Sequence, residues 1–227
     1  MQYALLTVLG ALVGIGMRRI VLWRRCGVVK AARRAYLLGA WLLGGGALLA
    51  MAVQEGVLLC SGQLHWRNAL PLHLCSAMGL LALPMLLTRS PRLWSLSLYL
   101  GMPGAALALL FPAVLQTPWP RLTELAFHAL HCCVLLSPLL PLSLGLRPSP
   151  RGVWWALGFL ALLALTALGA NVLTGGNYLF LEQSPIPWMN QWGASVWRGM
   201  LAALALLVLA TEGVLVSILQ QKRGWSH

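Results

Sequence analysis

The sequence predicts an all-α protein: a polytopic membrane helix bundle of seven transmembrane helices, forming a single transmembrane domain over residues 1–227. Of the 227 residues, 59% are hydrophobic and only 9% are charged, whereas soluble domains carry about 25% charged residues. The mean hydropathy is +0.80. Apolar stretches near the length of about 20 residues that a bilayer requires recur along the chain. The composition therefore excludes a soluble globular domain and a disordered chain.

Seven apolar stretches account for the predicted helices, in the order 2–17, 36–60, 69–88, 93–115, 124–145, 153–173 and 197–219. The first is short, but no basic residue precedes it and no small-residue cleavage site follows, so we do not expect a signal peptide. Small residues predict close helix packing at Gly10, Gly14, Gly44, Gly45 and Gly46. The fourth span contains residues that favour a kink, Gly101, Pro103 and Gly104. The outer loop 174–196 is rich in Trp, which favours the membrane interface.

The distribution of charge predicts the orientation. The chain has 16 Lys and Arg residues against 4 acids. Most of them lie in alternate connections, namely 18–35, 89–92, 147–151 and a tail with Lys222 and Arg223. The other connections hold Arg67, Arg121 and Arg198. Because basic residues accumulate on the cytoplasmic side, the pattern predicts an N-terminus outside and a C-terminus inside. The basic surplus therefore indicates topology, and we expect no nucleic-acid partner.

Polar side chains inside the predicted spans gather in one layer near the outer surface. At a rise of 1.5 Å per residue, Glu55, Cys75, His128 and His131 lie about 6–10 Å below the outer helix ends. Asn171 lies near the outer end of the sixth span, and Asn177, Tyr178 and Glu182 follow it. Intramembrane polar residues are costly, so they are candidate functional residues. Glu212 lies deeper and falls outside this layer.

Two of these spans indicate nucleophilic chemistry. Glu124, His128 and His131 are spaced i, i+4, i+7 on one helical face, so Glu124 is able to orient His128. Pro71 suits a first helical turn, and the partial positive charge of that turn favours a Cys75 thiolate. On a regular helix His73 would point about 200° away from Cys75, which makes it a poor base.

These spans predict Cys75 as the nucleophile and His131 or His128 as the base, with a Glu or Asn to orient it. This arrangement is typical of acyl transfer.

Several segments together resemble one family. They are Pro71-Leu-His-Leu-Cys75, Tyr99-Leu-Gly101 with Gly104 and Pro112, Phe127-His-Ala-Leu-His131, and Asn171 with Gly176-Asn-Tyr178 and Leu181. In this order they resemble the YwaF-like integral membrane proteins, the family of transmembrane protein 164. The resemblance implies a bundle of about seven helices. It also implies an acyltransferase that moves a fatty acyl chain between phospholipids, with its essential Cys at Cys75 and the span-five His at His131.

Two positions depart from the family pattern. Ser76 follows the Cys where the family often has Asp, and Asn190-Gln-Trp192 stands where a Trp-Pro pair is frequent. These differences bear on substrate identity more than on fold.

The sequence thus predicts a lipid acyltransferase or acyl hydrolase of the bacterial cytoplasmic membrane that forms a thioester on Cys75. We expect no cofactor and no metal, with phospholipid and lysophospholipid as partners. The predicted substrate-binding residues are His73, Asn171, Asn177, Tyr178 and Glu55. Two alternatives remain open: a haem- or metal-binding protein that uses His73, His128 and His131, and a transporter or receptor without catalysis.

Overall fold

The architecture is all-helical, as expected. The computed structural model describes the backbone of residues 2–222 and the side chains of residues 4–221, and no strand occurs within that range. Arg223, which was counted with the basic tail, lies outside the described residues, as does the side chain of Lys222.

Within the described range, nine α-helices form the bundle: α1 Gln2–Arg25, α2 Val29–Ala40, α3 Gly46–Cys60, α4 Leu74–Thr88, α5 Pro91–Leu96, α6 Met102–Leu110, α7 Pro120–Leu136, α8 Gly152–Thr174 and α9 Gly193–Lys222. Two π turns join α2 to α3 and α5 to α6, at Trp41–Gly45 and Ser97–Gly101. A 3-10 segment, Ser137–Leu144, extends α7. In the fourth span, where a kink is predicted, a π turn ends at Gly101, two residues before Pro103.

Six helical segments in the described part of the chain are long and apolar enough to cross a membrane: Ala4–Arg25, Val29–Cys60, Pro91–Leu110, Pro120–Leu144, Gly152–Thr174 and Pro187–Gln221. The remaining apolar helix, α4, has 15 residues. At 1.5 Å per residue it is about 22 Å long, short of the roughly 30 Å hydrocarbon core. A multi-pass bundle is therefore established, while a seventh span and the orientation stay predictions.

The first predicted connection is mostly helical. The structure extends the first helix from the expected end near Met17 to Arg25, and α2 begins at Val29. Only residues 26–28 separate the two helices. The Arg and Lys residues that were expected in a loop therefore lie on the facing ends of α1 and α2. Arg24 donates from Nη1 to the Ser143 carbonyl at 3.0 Å and ties this hairpin to the end of the fifth span.

The third span begins later than expected. Residues 69–73 are not helical, and His73 is extended (φ −73°, ψ 143°) immediately before α4. Pro71 therefore precedes the helix instead of opening it. Proline disfavours the α conformation in the residue before it, and the Leu70 N–H donates to Tyr178 Oη at 3.0 Å. Because of this tertiary bond, Cys75 becomes the second residue of α4.

Glycines allow the central helices to approach closely. A Cβ on Gly44 would lie 2.5 Å from the Leu83 Cα on α4, and one on Gly46 would lie 3.2 Å from Cys133 Sγ on α7. Close packing is thus confirmed at these two positions. The expectation for Gly10 and Gly14 is wrong, because nothing lies within 4 Å of a Cβ there. Most of α1 is exposed, so its glycines have no neighbouring helix to admit.

Candidate functional site

Cys75 lies at one end of the bundle, here called the Cys75 end, which carries the C-terminus of α3 and the N-termini of α4 and α7. Its thiol is free and half-buried. A Cβ on Gly104 of α6 would lie 3.9 Å from Cys75 Sγ and 2.9 Å from Leu74 Cδ2. Gly104 therefore leaves space beside the thiol that any other residue would fill. The first turn of α4 also presents free backbone N–H groups and partial positive charge near Cys75.

A common contact at Gly101 relates the helix that carries Cys75 to the helix that carries His131. A Cβ on Gly101 would lie 3.3 Å from Met78 Cγ on α4 and 3.4 Å from Val134 Cγ1 on α7, so three helices meet there. The helices α4 and α7 run in the same direction, because the fourth span returns between them. Cys75 and His131 each lie three residues before those contacts. Along its own helix, each is therefore about 4.5 Å closer to the Cys75 end than the residue that meets Gly101.

Both histidines of α7 are buried and share one hydrogen-bonding pattern. His128 Nδ1 lies 2.7 Å from the Glu124 carbonyl oxygen, and His131 Nδ1 lies 2.7 Å from the Phe127 carbonyl oxygen. A carbonyl oxygen only accepts, so Nδ1 is the donor in each ring. In a neutral imidazole Nε2 then carries the lone pair. His131 Nε2 has no hydrogen-bond partner among the described residues, and this atom is free to act as a base.

The expected role of Glu124 is corrected by this pattern. We expected its side chain to orient His128, but its backbone carbonyl does so. The i→i−4 geometry of an α-helix places that carbonyl beneath the His128 ring. No hydrogen bond or ion pair of the Glu124 carboxylate is found within the described residues.

The structure adds Gln54, which the sequence analysis missed. A Cβ on Gly79 of α4 would lie 2.9 Å from both Met51 Sδ on α3 and Leu130 Cδ1 on α7. Gln54 is one turn further along α3, which runs opposite to α4, so it lies about level with Cys75. Its Nε2 is buried and has no hydrogen-bond partner among the described residues. An amide in an apolar run was the available signal, because intramembrane polar residues are rare.

The loop after α8 packs against the start of α4. The Tyr178 ring lies 5.7 Å from the His73 ring and the Phe180 ring lies 5.0 Å from it, centroid to centroid. Tyr178 Oη donates to the Trp66 carbonyl at 2.6 Å and accepts from Leu70 N–H. These contacts hold the extended segment before Cys75 in place. His73, now in extended backbone, faces this loop.

The two asparagines hold the same loop. Asn171 donates from Nδ2 to the Tyr178 carbonyl at 3.2 Å and accepts from Tyr178 N–H at 2.7 Å. Asn177 Oδ1 accepts from the backbone N–H groups of Glu182 and Gln183, and its Nδ2 donates to the Gln183 carbonyl at 2.8 Å. These amides are thus used in local structure. Their role in substrate binding stays a prediction.

The remaining acids are less closely connected to Cys75. Glu55 lies on the exposed surface of α3, and its role in substrate binding stays a prediction. The Glu182 carboxylate pairs with Arg198 at 2.5 Å. Glu212 Oε2 is buried without a partner among the described residues. No three His, Cys, Asp or Glu side chains in the described range come together as metal ligands would, so the metal-binding alternative gains no support there.

Comparison with known proteins identifies a family. The sequence profile described as the TMEM164 family matches residues 2–216. A relative from Treponema pallidum (strain Nichols), described as an uncharacterized protein, is 37% identical over 152 residues. That alignment covers 63% of this chain and 61% of the relative, so the chain spans less than two thirds of its length. No solved structure matches the chain.

Proposed function

Because the chain belongs to the TMEM164 family of membrane proteins, we propose that it is a membrane acyltransferase or acyl hydrolase acting on phospholipids. Cys75 is the nucleophile and His131 is the base. The observations that carry the proposal are the free Cys75 thiol and the unpartnered Nε2 of His131, which lie on parallel helices. Each residue stands three positions before a residue that Gly101 approaches. A nucleophile beside an oriented base is the arrangement that covalent acyl transfer needs. The enzyme works in the bacterial cytoplasmic membrane.

In the first step, Cys75 Sγ attacks the ester carbonyl carbon of a phospholipid. His131 Nε2 accepts the thiol proton and passes it to the oxygen of the departing lysophospholipid. The S–C bond of a thioester forms and the ester C–O bond breaks. In the second step, an acceptor hydroxyl or water gives its proton to His131 and its oxygen bonds to the acyl carbon. The S–C bond then breaks, and the proton returns to the thiolate.

Gln54 supplies the donor that the developing oxyanion requires. Its buried Nε2 has no other partner among the described residues, and a preorganised donor in a water-poor site stabilises a tetrahedral intermediate strongly. The free N–H groups at the start of α4 add to this stabilisation. Asn171, Asn177 and Tyr178 act as positioning residues, because their polar groups already hold the loop that packs on His73.

The lipid class of substrate is supported by where Cys75 lies. It is in the first turn of a helix at one end of an apolar bundle, and a first-turn residue lies near the depth at which ester groups meet the hydrocarbon core. Trp66 and Trp188 are exposed at the same end, as interfacial aromatic residues are. The resemblance of Pro71-Leu-His-Leu-Cys75 to the family signature supports the same assignment.

The test is intact-mass analysis of detergent-purified protein after incubation with phospholipid. We expect a mass gain of one acyl chain that hydroxylamine removes, since hydroxylamine cleaves thioesters. Cys75→Ala abolishes the adduct, and His131→Gln slows its accumulation by about 10²–10⁴-fold, the usual contribution of general acid–base catalysis.

Cys60→Ala is the matched control, because Cys60 is a free exposed thiol outside the site; its adduct should match that of the unaltered protein. An unmodified protein together with unchanged lipids after long incubation would overturn the proposal. An adduct that survives Cys75→Ala would overturn the choice of nucleophile.

A further inference from the structure

A polar cleft of about 540 Å³ opens where α8 ends and α9 begins. Its volume lies within the range of about 300–1,000 Å³ that is usual for ligand sites. Six of its lining residues carry polar side chains: Arg67, Asn171, Asn177, Glu182, Gln183 and Arg198. The mechanism above uses none of the charged ones.

The two arginines of the cleft differ in what they already bind. Arg198 donates from Nε to the Leu181 carbonyl at 2.9 Å and pairs through Nη2 with Glu182. The Arg67 guanidinium makes no hydrogen bond or ion pair with any residue that the structure describes. The cleft therefore holds one neutralised pair and one uncommitted cation with five donors.

Two glycines that follow α8, Gly175 and Gly176, leave room for Arg67 to pack against this turn. A Cβ on Gly176 would lie 2.7 Å from the Arg67 carbonyl oxygen, and one on Gly175 would lie 3.7 Å from Arg67 Nε. The Arg67 chain thus passes directly against this turn. The C-terminus of α8 contributes partial negative charge nearby. Without Arg67, the described part of the cleft would have no net positive charge.

The cleft lies beside the proposed site and near the expected membrane surface. Tyr178 connects them, because its backbone bonds Asn171 in the cleft while its ring packs on His73, two residues from Cys75. Trp66, next to Arg67, is 74% exposed, and Trp188 is 59% exposed. Amphipathic aromatic residues favour the headgroup level of a bilayer.

We propose that this cleft binds the phosphate of a phospholipid headgroup, with Arg67 as the main donor. A guanidinium matches phosphate oxygens in a bidentate geometry. The Arg67 guanidinium has no anionic partner among the described residues. The inference rests on the proposed function for the identity of the lipid as substrate. The phosphate chemistry itself rests on Arg67 and the cleft.

The test is native mass spectrometry of the full chain in a non-ionic detergent, carried out on Cys75→Ala so that no turnover occurs. The probes are dioctanoyl phosphatidylglycerol, dioctanoylglycerol, which lacks the phosphate, and inorganic phosphate. We expect Arg67→Gln to weaken phosphatidylglycerol binding at least tenfold and to leave dioctanoylglycerol binding unchanged. Arg67→Lys should lose part of the affinity, because lysine keeps the positive charge but cannot form the bidentate hydrogen bonds of a guanidinium.

Arg121→Gln is the matched control, since Arg121 is an exposed arginine in the first turn of α7 that does not line the cleft. It should bind as the parent does. Inorganic phosphate that binds with the same Arg67 dependence and displaces the lipid would support the phosphate site with free phosphate as a second source. Equal phosphatidylglycerol binding by Arg67→Gln and its parent would overturn the proposal. If Arg67→Gln does not fold, equal binding by Arg67→Lys overturns it instead.

The two proposals fail separately. If binding depends on Arg67 but the unaltered protein forms no thioester, the phosphate site stands and the acyltransferase assignment falls. If a thioester forms from phospholipid while phosphatidylglycerol binding is equal with and without Arg67, the assignment stands and the phosphate site falls.

Discussion

At the scale of single residues, the site depends on which polar atoms the fold leaves unused. The sequence predicts substrate-binding roles for Asn171, Asn177 and Tyr178. In the structure, however, the polar side-chain groups of these residues form hydrogen bonds with the backbone. Two nitrogens of the proposed site have no hydrogen-bond partner in the described residues: Nε2 of His131 and Nε2 of Gln54. A buried unpaired donor is costly, and the proposed mechanism gives the Gln54 amide a partner in the oxyanion.

Replacement of Gln54 by Leu should therefore separate activity from stability. We expect acyl-enzyme formation to slow about 10²–10³-fold, the usual effect of losing one oxyanion donor. The Tm should stay unchanged or rise, because no hydrogen bond of the folded protein is lost and a buried unpaired amide is removed. The measurements are the rate of the mass gain and thermal unfolding in detergent.

Gln63→Leu is the control for this prediction, because Gln63 lies in the loop between α3 and α4. A normal acylation rate in Gln54→Leu would remove Gln54 from the mechanism. A slow rate together with a lowered Tm would assign it to packing.

At the scale of elements, glycines set the spacing of the helices that position Cys75. The π turn before α3 lies against α4 at Gly44, and the π turn in the middle of the fourth span lies against both α4 and α7 at Gly101. Where a glycine faces backbone, no side-chain rotation can relieve an added methyl group. These contacts fix how closely α4 packs against its neighbours.

Gly44→Ala should accordingly destabilise the bundle. The new Cβ would lie 2.5 Å from the Leu83 Cα, and overpacking of this kind costs about 1–3 kcal/mol. We expect a lower Tm in detergent and slower acylation, because α4 carries Cys75. Gly56→Ala on α3 is the matched control, since nothing lies within 4 Å of its Cβ, and alanine favours a helix by up to about 1 kcal/mol. Equal Tm values for the two variants would contradict the packing assigned to Gly44.

At the scale of the whole molecule, one long helical segment extends from one end of the bundle to the other. Val29–Cys60 has 32 residues, about 48 Å at 1.5 Å per residue, which exceeds the hydrocarbon core. Cys26 precedes this segment in the hairpin after α1, and Cys60 ends it. Both thiols are exposed, so they mark opposite ends of a spanning element.

The charge pattern then predicts which end faces outward. In intact cells that express the chain, a membrane-impermeant maleimide should label Cys60 and leave Cys26 unmodified until the membrane is permeabilised. The reason is that the arginines and lysines around Cys26 favour the cytoplasmic side. The variants Cys26→Ser and Cys60→Ser assign each label. Labelling of Cys26 alone in intact cells would reverse the orientation and move Cys75 to the cytoplasmic leaflet.

The sequence by itself determined the all-helical membrane class, the approximate positions of the spans and the histidine face of α7. These follow from composition and periodicity, which act locally because each apolar helix satisfies its own backbone bonds. It also identified Cys75 as a candidate nucleophile, because histidines are predicted to lie in the same layer.

Only the tertiary structure decided where α4 begins and that Gln54 stands level with Cys75. It also showed that Arg67 reaches the turn after α8. Each of these depends on contacts between distant segments, such as Leu70 with Tyr178. Composition and periodicity cannot predict such contacts, because their free energy arises only when the helices pack.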